Sequence, residues 1–213
     1  MENIVSNPMF SAIVTVFAGI ALWFGLSDEA VKVKKSVASV FMDVVFYFVM
    51  TLFGINALLN ISEIIEVPYR ILLFSSNVVW ITSLLVLVYG SYLYGRKLWS
   101  CKTKALSAAK LVTTIGLVNH AYTYYRYSSA NALMLVILFV SVLTMMTFTS
   151  FTKKVSPVLI VSAVGLIHLL IMWTRPVIYF NFALSPAAVL SLFTVFSILL
   201  LGYERGRLPS KQN

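Results

Sequence analysis

Seven apolar stretches fill the chain from Pro8 to Tyr203, and its Lys and Arg residues sit almost entirely in alternate gaps between them. Stretches of about 20 apolar residues match the hydrocarbon thickness of a bilayer. Cations gathered in every second gap follow the bias that retains positive loops on the cytoplasmic side. The expected fold is therefore all-α: a polytopic integral membrane bundle of seven transmembrane helices. With 60% hydrophobic and 11% charged residues, the composition lies far outside that of a soluble globular domain. A length of 213 residues, divided into such spans, leaves no room for a separate soluble unit, so a single membrane domain is expected over 1–213.

The spans are predicted near 8–26, 36–59, 71–94, 105–125, 129–151, 157–173 and 187–203. The first follows Met1-Glu2-Asn3 and lacks the basic start of a cleaved signal peptide, so it is read as a span. The fourth contains Lys110, Asn119 and His120, and its status is decided by counting cations. If it crosses, the inside holds Lys32, Lys34, Lys35, Arg96, Lys97, Lys102, Lys104, Lys110, Lys153, Lys154, Arg205, Arg207 and Lys211, against Arg70, Arg126 and Arg175 outside. If it lies on the surface, the later segments invert and the split falls to 10 inside and 6 outside. Seven crossings, with the amino terminus outside and the carboxyl terminus inside, satisfy the rule best. Asn7-Pro8, Ser156-Pro157 and Ser185-Pro186 each offer a capping side chain followed by proline at a first helical position.

The net charge of +9 is accounted for by loops that flank spans, not by a nucleic-acid-binding patch. The partners expected are the lipid bilayer itself, anionic headgroups at the basic inside loops, and a small solute or ion or another membrane protein; no nucleic acid is expected. The loop Gly95–Lys104 combines cations with Leu98 and Trp99, which suits headgroups or an acidic partner. Cys101 is the lone cysteine. It excludes an intramolecular disulfide and reads as a reduced thiol, or as a site of acylation.

Polar side chains inside the spans are the candidate site, because insertion of a central Asp costs about 2.5–3.5 kcal/mol. Asp43 lies about 10 Å from the inner end of its span at ~1.5 Å per residue, with Tyr47 one turn further along. It is read either as a proton- or cation-binding group or as a hydrogen-bonded tie between helices. Asn56, Asn77, Asn119, His120 and His168 fall toward the outer side, where adjoining helices would bring them to one externally open pocket. Thr113, Gly116, His120, Tyr124 and Tyr127 form a stripe expected to face protein or a cavity. Tyr122, Tyr124, Tyr125 and Tyr127 also suit an aromatic belt. The predicted substrate-binding set is Asp43, Asn56, Asn77, Asn119, His120, Tyr124 and His168.

Ser191, Thr194 and Ser197, and Ser141, Thr144 and Thr147, read as close-packing positions. The unusually apolar connection Thr174–Pro186 is read either as an interfacial anchor through Tyr179, Phe180 and Phe182 or as a lid, with Arg175 and Asn181 as polar contacts.

Several chemistries are disfavoured. The seventh segment has no lysine for a retinal Schiff base. Asp43 is the sole acid within a span, and neither His-Glu-x-x-His nor Gly-x-Ser-x-Gly occurs, so hydrolytic catalysis has no frame. Two histidines with Asp43 at another depth make no three-ligand zinc site. No cofactor is expected, and the balance leans against an enzyme. The expectation is a small-solute or ion permease, channel or solute-binding protein in a cell membrane, with short loops pointing to a bacterial cytoplasmic membrane. The alternative is a non-transporting accessory, assembly or signalling subunit. A carboxyl-terminal tag is expected to stay protected from impermeant protease in intact cells; cleavage from the exterior would overturn the orientation.

Overall fold

The computed structural model describes residues 8–99, 102–147, 157–173, 177–179 and 182–205. Cys101, Arg175, Phe180 and Asn181, the caps Asn7 and Ser156, and the cations Lys153, Lys154, Arg207 and Lys211 lie outside the described residues. The fold is helical, with one small β-hairpin. Its elements are α1 (Pro8–Leu26), α2 (Val31–Leu59), α3 (Ile61–Glu66), a 3-10 turn (Pro68–Leu72), α4 (Ser76–Trp99), α5 (Lys102–Tyr127), α6 (Ala130–Thr147), α7 (Pro157–Met172), β1 (Val177–Tyr179), β2 (Phe182–Leu184) and α8 (Pro186–Arg205). A helix lies over each of the seven apolar segments. Val31–Leu59, Ser76–Gly95 and Ala130–Thr147 are long and apolar enough to cross a membrane. Ser11–Leu26, Ser162–Met172 and Pro186–Leu199 are shorter apolar helices.

The stretch between the second and third segments is more structured than a loop. Ile71 to Phe74, apolar enough to resemble the start of a span, belong instead to the 3-10 turn and the link after it, and α4 begins at Ser76. Ser75 Oγ accepts the Val78 N–H at 3.3 Å and supplies the start. Ser129 and Ser185 do the same for α6 and α8, accepting from Ala132 N at 3.5 Å and Ala188 N at 3.2 Å, which bears out the predicted Ser185 cap.

Helix directions follow from cross-helix contacts. Gly19 meets Ile115 while Glu29 reaches Lys110, so α1 and α5 are antiparallel. Val44 lies against Gly90, and Leu52 against Val78, so α2 and α4 are antiparallel. Gly165 meets Phe193 and Ser162 meets Ser197, giving α7 and α8 the same relation. One end of the bundle thus carries Leu59, Ser76, Tyr127 and the hairpin; the other carries Leu26, Val31 and Lys102. These are called the hairpin end and the basic end.

The surface is apolar. Phe17, Phe46, Met50, Leu58, Val112, Ile137, Leu166 and Ile198 are all exposed, large apolar side chains on many helices that suit acyl chains better than water. The interior concentrates the polar groups, chiefly on α5, where Ser107, Lys110, Thr113, Thr114, Asn119, His120 and Thr123 are buried. This helix packs against α1, α2, α4, α6 and β1. Lipid offers apolar side chains no reason to leave it, so helix association there rests on close packing and hydrogen bonds. Trp80 Nε1 donates to Ser191 Oγ at 3.0 Å, tying α4 to α8. Ser141, Thr144 and Thr147 instead donate to carbonyls of their own helix.

Gly19 shows how close the packing is: a Cβ there would stand 2.7 Å from Ile115 Cα, a backbone atom that cannot rotate away. Gly19→Ala is expected to destabilise the bundle by about 1–3 kcal/mol. At Gly25 a Cβ meets nothing within 4 Å, so Gly25→Ala should unfold like the parent. Thermal unfolding of the two variants in detergent checks the difference; equal midpoints would refute the packing.

Candidate functional site

The hairpin end holds the tightest cluster of chemistry-bearing groups. His120 on α5 is 0% exposed and His168 on α7 is 1% exposed. Their ring centroids are 6.1 Å apart with the planes tilted by 57°. Phe139 stacks on His120 at 5.4 Å, and Phe193 tilts against His168 at 5.8 Å, giving the pair an apolar wall on each side.

Tyr179 closes the cluster from above. The hairpin pairs Val177 with Leu184, Ile178 with Ala183 and Tyr179 with Phe182, and it turns back into the bundle. Leu184 joins a buried cluster with Leu135, Met172 and Val189, while Phe182 packs against Leu52, Val78 and Val79. The Tyr179 hydroxyl hydrogen-bonds the His168 ring nearest Nε2 and lies 3.3 Å from Nδ1. The Tyr179 ring stacks on His168 at 5.4 Å and stands edge-on to His120 at 5.0 Å. Within this connection Tyr179 and Phe182 are half-buried against the bundle.

His120 differs from its neighbour. Neither Nδ1 nor Nε2 has a hydrogen-bond partner among the described residues. A neutral imidazole carries one donor and one acceptor, and leaving both unmet in a buried site costs about 1–3 kcal/mol for each group.

The other predicted residues are dispersed. Asn119 is buried one residue before His120. Asn56 is also fully buried, but its amide is consumed: Nδ2 donates to Ile71 O at 2.9 Å and Arg70 O at 3.4 Å, and Oδ1 accepts from Asn60 at 2.8 Å. It fastens the 3-10 turn to the end of α2. Asn77 is exposed. Tyr124 is 41% exposed and Tyr125 is exposed further, as belt residues are. Asp43 also lies on the outer surface of the bundle, close to Tyr94 and Tyr47. The structure therefore brings together His120 and His168, with Asn119 adjacent, and leaves Asp43, Asn77 and Tyr124 on outward faces.

A second polar site, at the basic end, lies outside the set expected from the sequence. Lys110 Nζ and Glu29 Oε1 form an ion pair of 2.9 Å whose side chains are 11% and 8% exposed. Ser27 Oγ donates to the other carboxylate oxygen. Burial alone would raise the Glu29 pKa, but the Ser27 and Lys110 hydrogen bonds and the Lys110 charge together hold it below its ordinary 4.5. A groove of about 170 Å³ opens beside the pair, lined by Trp23, Ser27, Lys110, Thr114, Leu143 and Thr147 among others. Nearby Lys34 donates to Phe24 O at 2.9 Å, placing a cation on the final carbonyls of α1, where the helix dipole favours it. The signal available was Lys110, a cation in a span, facing an acid in the short link after the first helix.

No protein-family model, curated protein or solved structure matches the chain, so its function is read from these residues. Among the described residues no three His, Cys, Asp or Glu side chains group as a metal site.

Removing one partner of a buried pair strands the other charge, at about 3–5 kcal/mol. Glu29→Gln and Lys110→Met are each expected to destabilise the protein by that order, and the double variant to recover most of it. Because the folded carboxyl titrates below its ordinary value, its contribution is complete above about pH 4.5 and fades as the pH falls through the folded pKa. Thermal unfolding from pH 7 down to pH 3 checks this; single and double variants of equal stability would refute it.

Proposed function

We propose that the chain is a seven-span protein of a cell membrane, bacterial and cytoplasmic in type, that binds and passes a small solute or ion. In this reading the amino terminus and hairpin end face outward, the basic end and carboxyl terminus face the cytoplasm, and the basic links rest on anionic headgroups. The observation that carries it is α5: buried polar side chains run its length, from Ser107 and Lys110 to Asn119, His120 and Thr123. Ionisable groups held within a membrane bundle mark pathways or ligand sites by default. This helix joins the groove beside Lys110 to the histidine pair beneath Tyr179, so the two ends of one helix carry an inner vestibule and an outer site closed by the hairpin. Thr113, Thr114 and Thr123 donate to their own helix carbonyls; the working groups are His120 and His168, while Lys110 is held by Glu29 at the vestibule.

A second reading has its own observation. Asp43 and Tyr47 are exposed on the outward face of α2, with the half-buried Tyr94 of α4 beside them. A carboxyl group is costly against acyl chains, and a helix of another membrane protein would relieve that cost. An accessory or assembly subunit would use this face.

Reconstitution separates the two. Under the transport reading, purified protein in liposomes moves a solute or ion, His168→Ala changes the flux severalfold, and Asp43→Asn leaves it intact. Absence of flux across a panel of small solutes and ions, together with a stoichiometric membrane partner lost in Asp43→Asn, would replace the transport reading with the accessory one.

A further inference from the structure

The unmet nitrogens of His120 define what the outer site lacks. Its ring is fully buried, with no hydrogen-bond partner among the described residues for either nitrogen. An orphaned buried polar group of this kind points to a bound water or ion. The surroundings favour an ion. A second imidazole, His168, stands 6.1 Å away between ring centroids. A phenol, Tyr179, bonds that imidazole, and its ring centroid stands 5.0 Å from that of His120.

The spacing suits coordination. A nitrogen-bound ion at about 2.0–2.1 Å places the ring centroid about 3.2 Å from the metal. Two imidazoles sharing one ion then have centroids about 5.2 Å apart at a tetrahedral angle and about 6.4 Å apart in a straight line. The observed 6.1 Å falls between the two, toward the open angle. Phe139 and Phe193 form a dry wall that supplies no competing oxygen ligand.

From this geometry we infer that His120, His168 and Tyr179 form a binding site for one transition-metal ion, with copper(II) the preferred species. Two imidazoles and one phenolate make the nitrogen and oxygen donor set characteristic of copper(II) or nickel(II), and copper stands highest in the affinity order of divalent ions. On binding, the Tyr179 O–H bond breaks, a metal–oxygen bond forms, and the proton leaves to water at the hairpin end. The hydrogen bond to His168 is lost in the same step, which frees that ring for the ion. Hard cations such as magnesium, which require oxygen ligands, are disfavoured. The inference rests on reading the histidine pair as the site that the proposed permease uses, and it names the class of its cargo.

The test uses the full chain in detergent, stripped with chelator and titrated with copper(II). One copper per chain is expected, with nitrogen hyperfine structure from two imidazoles in its electron paramagnetic resonance and a phenolate-to-copper charge-transfer band. His120→Ala and His168→Ala should each weaken binding at least about tenfold. Tyr179→Phe should keep a weaker copper but lose the charge-transfer band. Parent protein that binds no copper, or shows no imidazole coupling, overturns the site whatever the variants do. So does copper retained unchanged by the double histidine variant. Flux of other solutes without copper binding defeats the metal and leaves the permease reading standing; copper binding without any flux does the reverse.

Discussion

Burial of α5 is the constraint from which the rest of the structure follows. A helix carrying Lys110, Asn119, His120 and several hydroxyls cannot face acyl chains, because hydrocarbon offers none of them a partner. It is tolerated only when surrounded, and α1, α2, α4, α6 and the hairpin strand surround it. The outer helices then need few polar groups, and their outward faces are correspondingly apolar. Gly19 and Gly116 let neighbours approach α5 closely, at Ile115 and at Phe139 respectively.

The two ends of α5 solve the same problem differently. At the basic end the charge of Lys110 is met by Glu29, itself held by Ser27. Such a pair contributes little net stability over an apolar replacement, yet losing either half is costly. Its value lies in fixing the link after α1 against α5, so that α2 starts at a defined place. At the hairpin end the polar group is left with open valence, since His168 has Tyr179 but His120 has no hydrogen-bonding counterpart among the described residues. The asymmetry separates a finished structural contact from an incomplete one.

Much of the helical layout was legible because it depends on local pattern. Pro8 and Pro186 open helices where the sequence puts them, and Ser185 caps as its type predicts. The helix of the third segment starts later than hydropathy indicates, because Ile71 to Phe74 are as apolar as a span and hydropathy does not register the 3-10 turn that Asn56 anchors. His120 and His168 were legible as polar groups at similar depth. Their meeting with Tyr179 was not, since it depends on a hairpin folding inward, which composition alone does not distinguish from one lying at an interface. Asp43 stood out as the sole acid in a span, but its helical phase turns it away from the bundle. Glu29 gives no such signal because it sits in a link, where acids are ordinary.

The hairpin is only three residue pairs long, and a two-stranded ribbon of that size is at best marginally stable by itself. Its position is borrowed from what it touches: Leu184 and Phe182 in apolar clusters, and Tyr179 on a histidine. In the proposed metal site an ion would exchange that mooring, replacing the Tyr179–His168 hydrogen bond with a metal–oxygen bond to the same ribbon. Occupancy beneath the cover and the posture of the cover are then one equilibrium observed from two sides, and a spectroscopic label on the ribbon would report on a guest it never contacts.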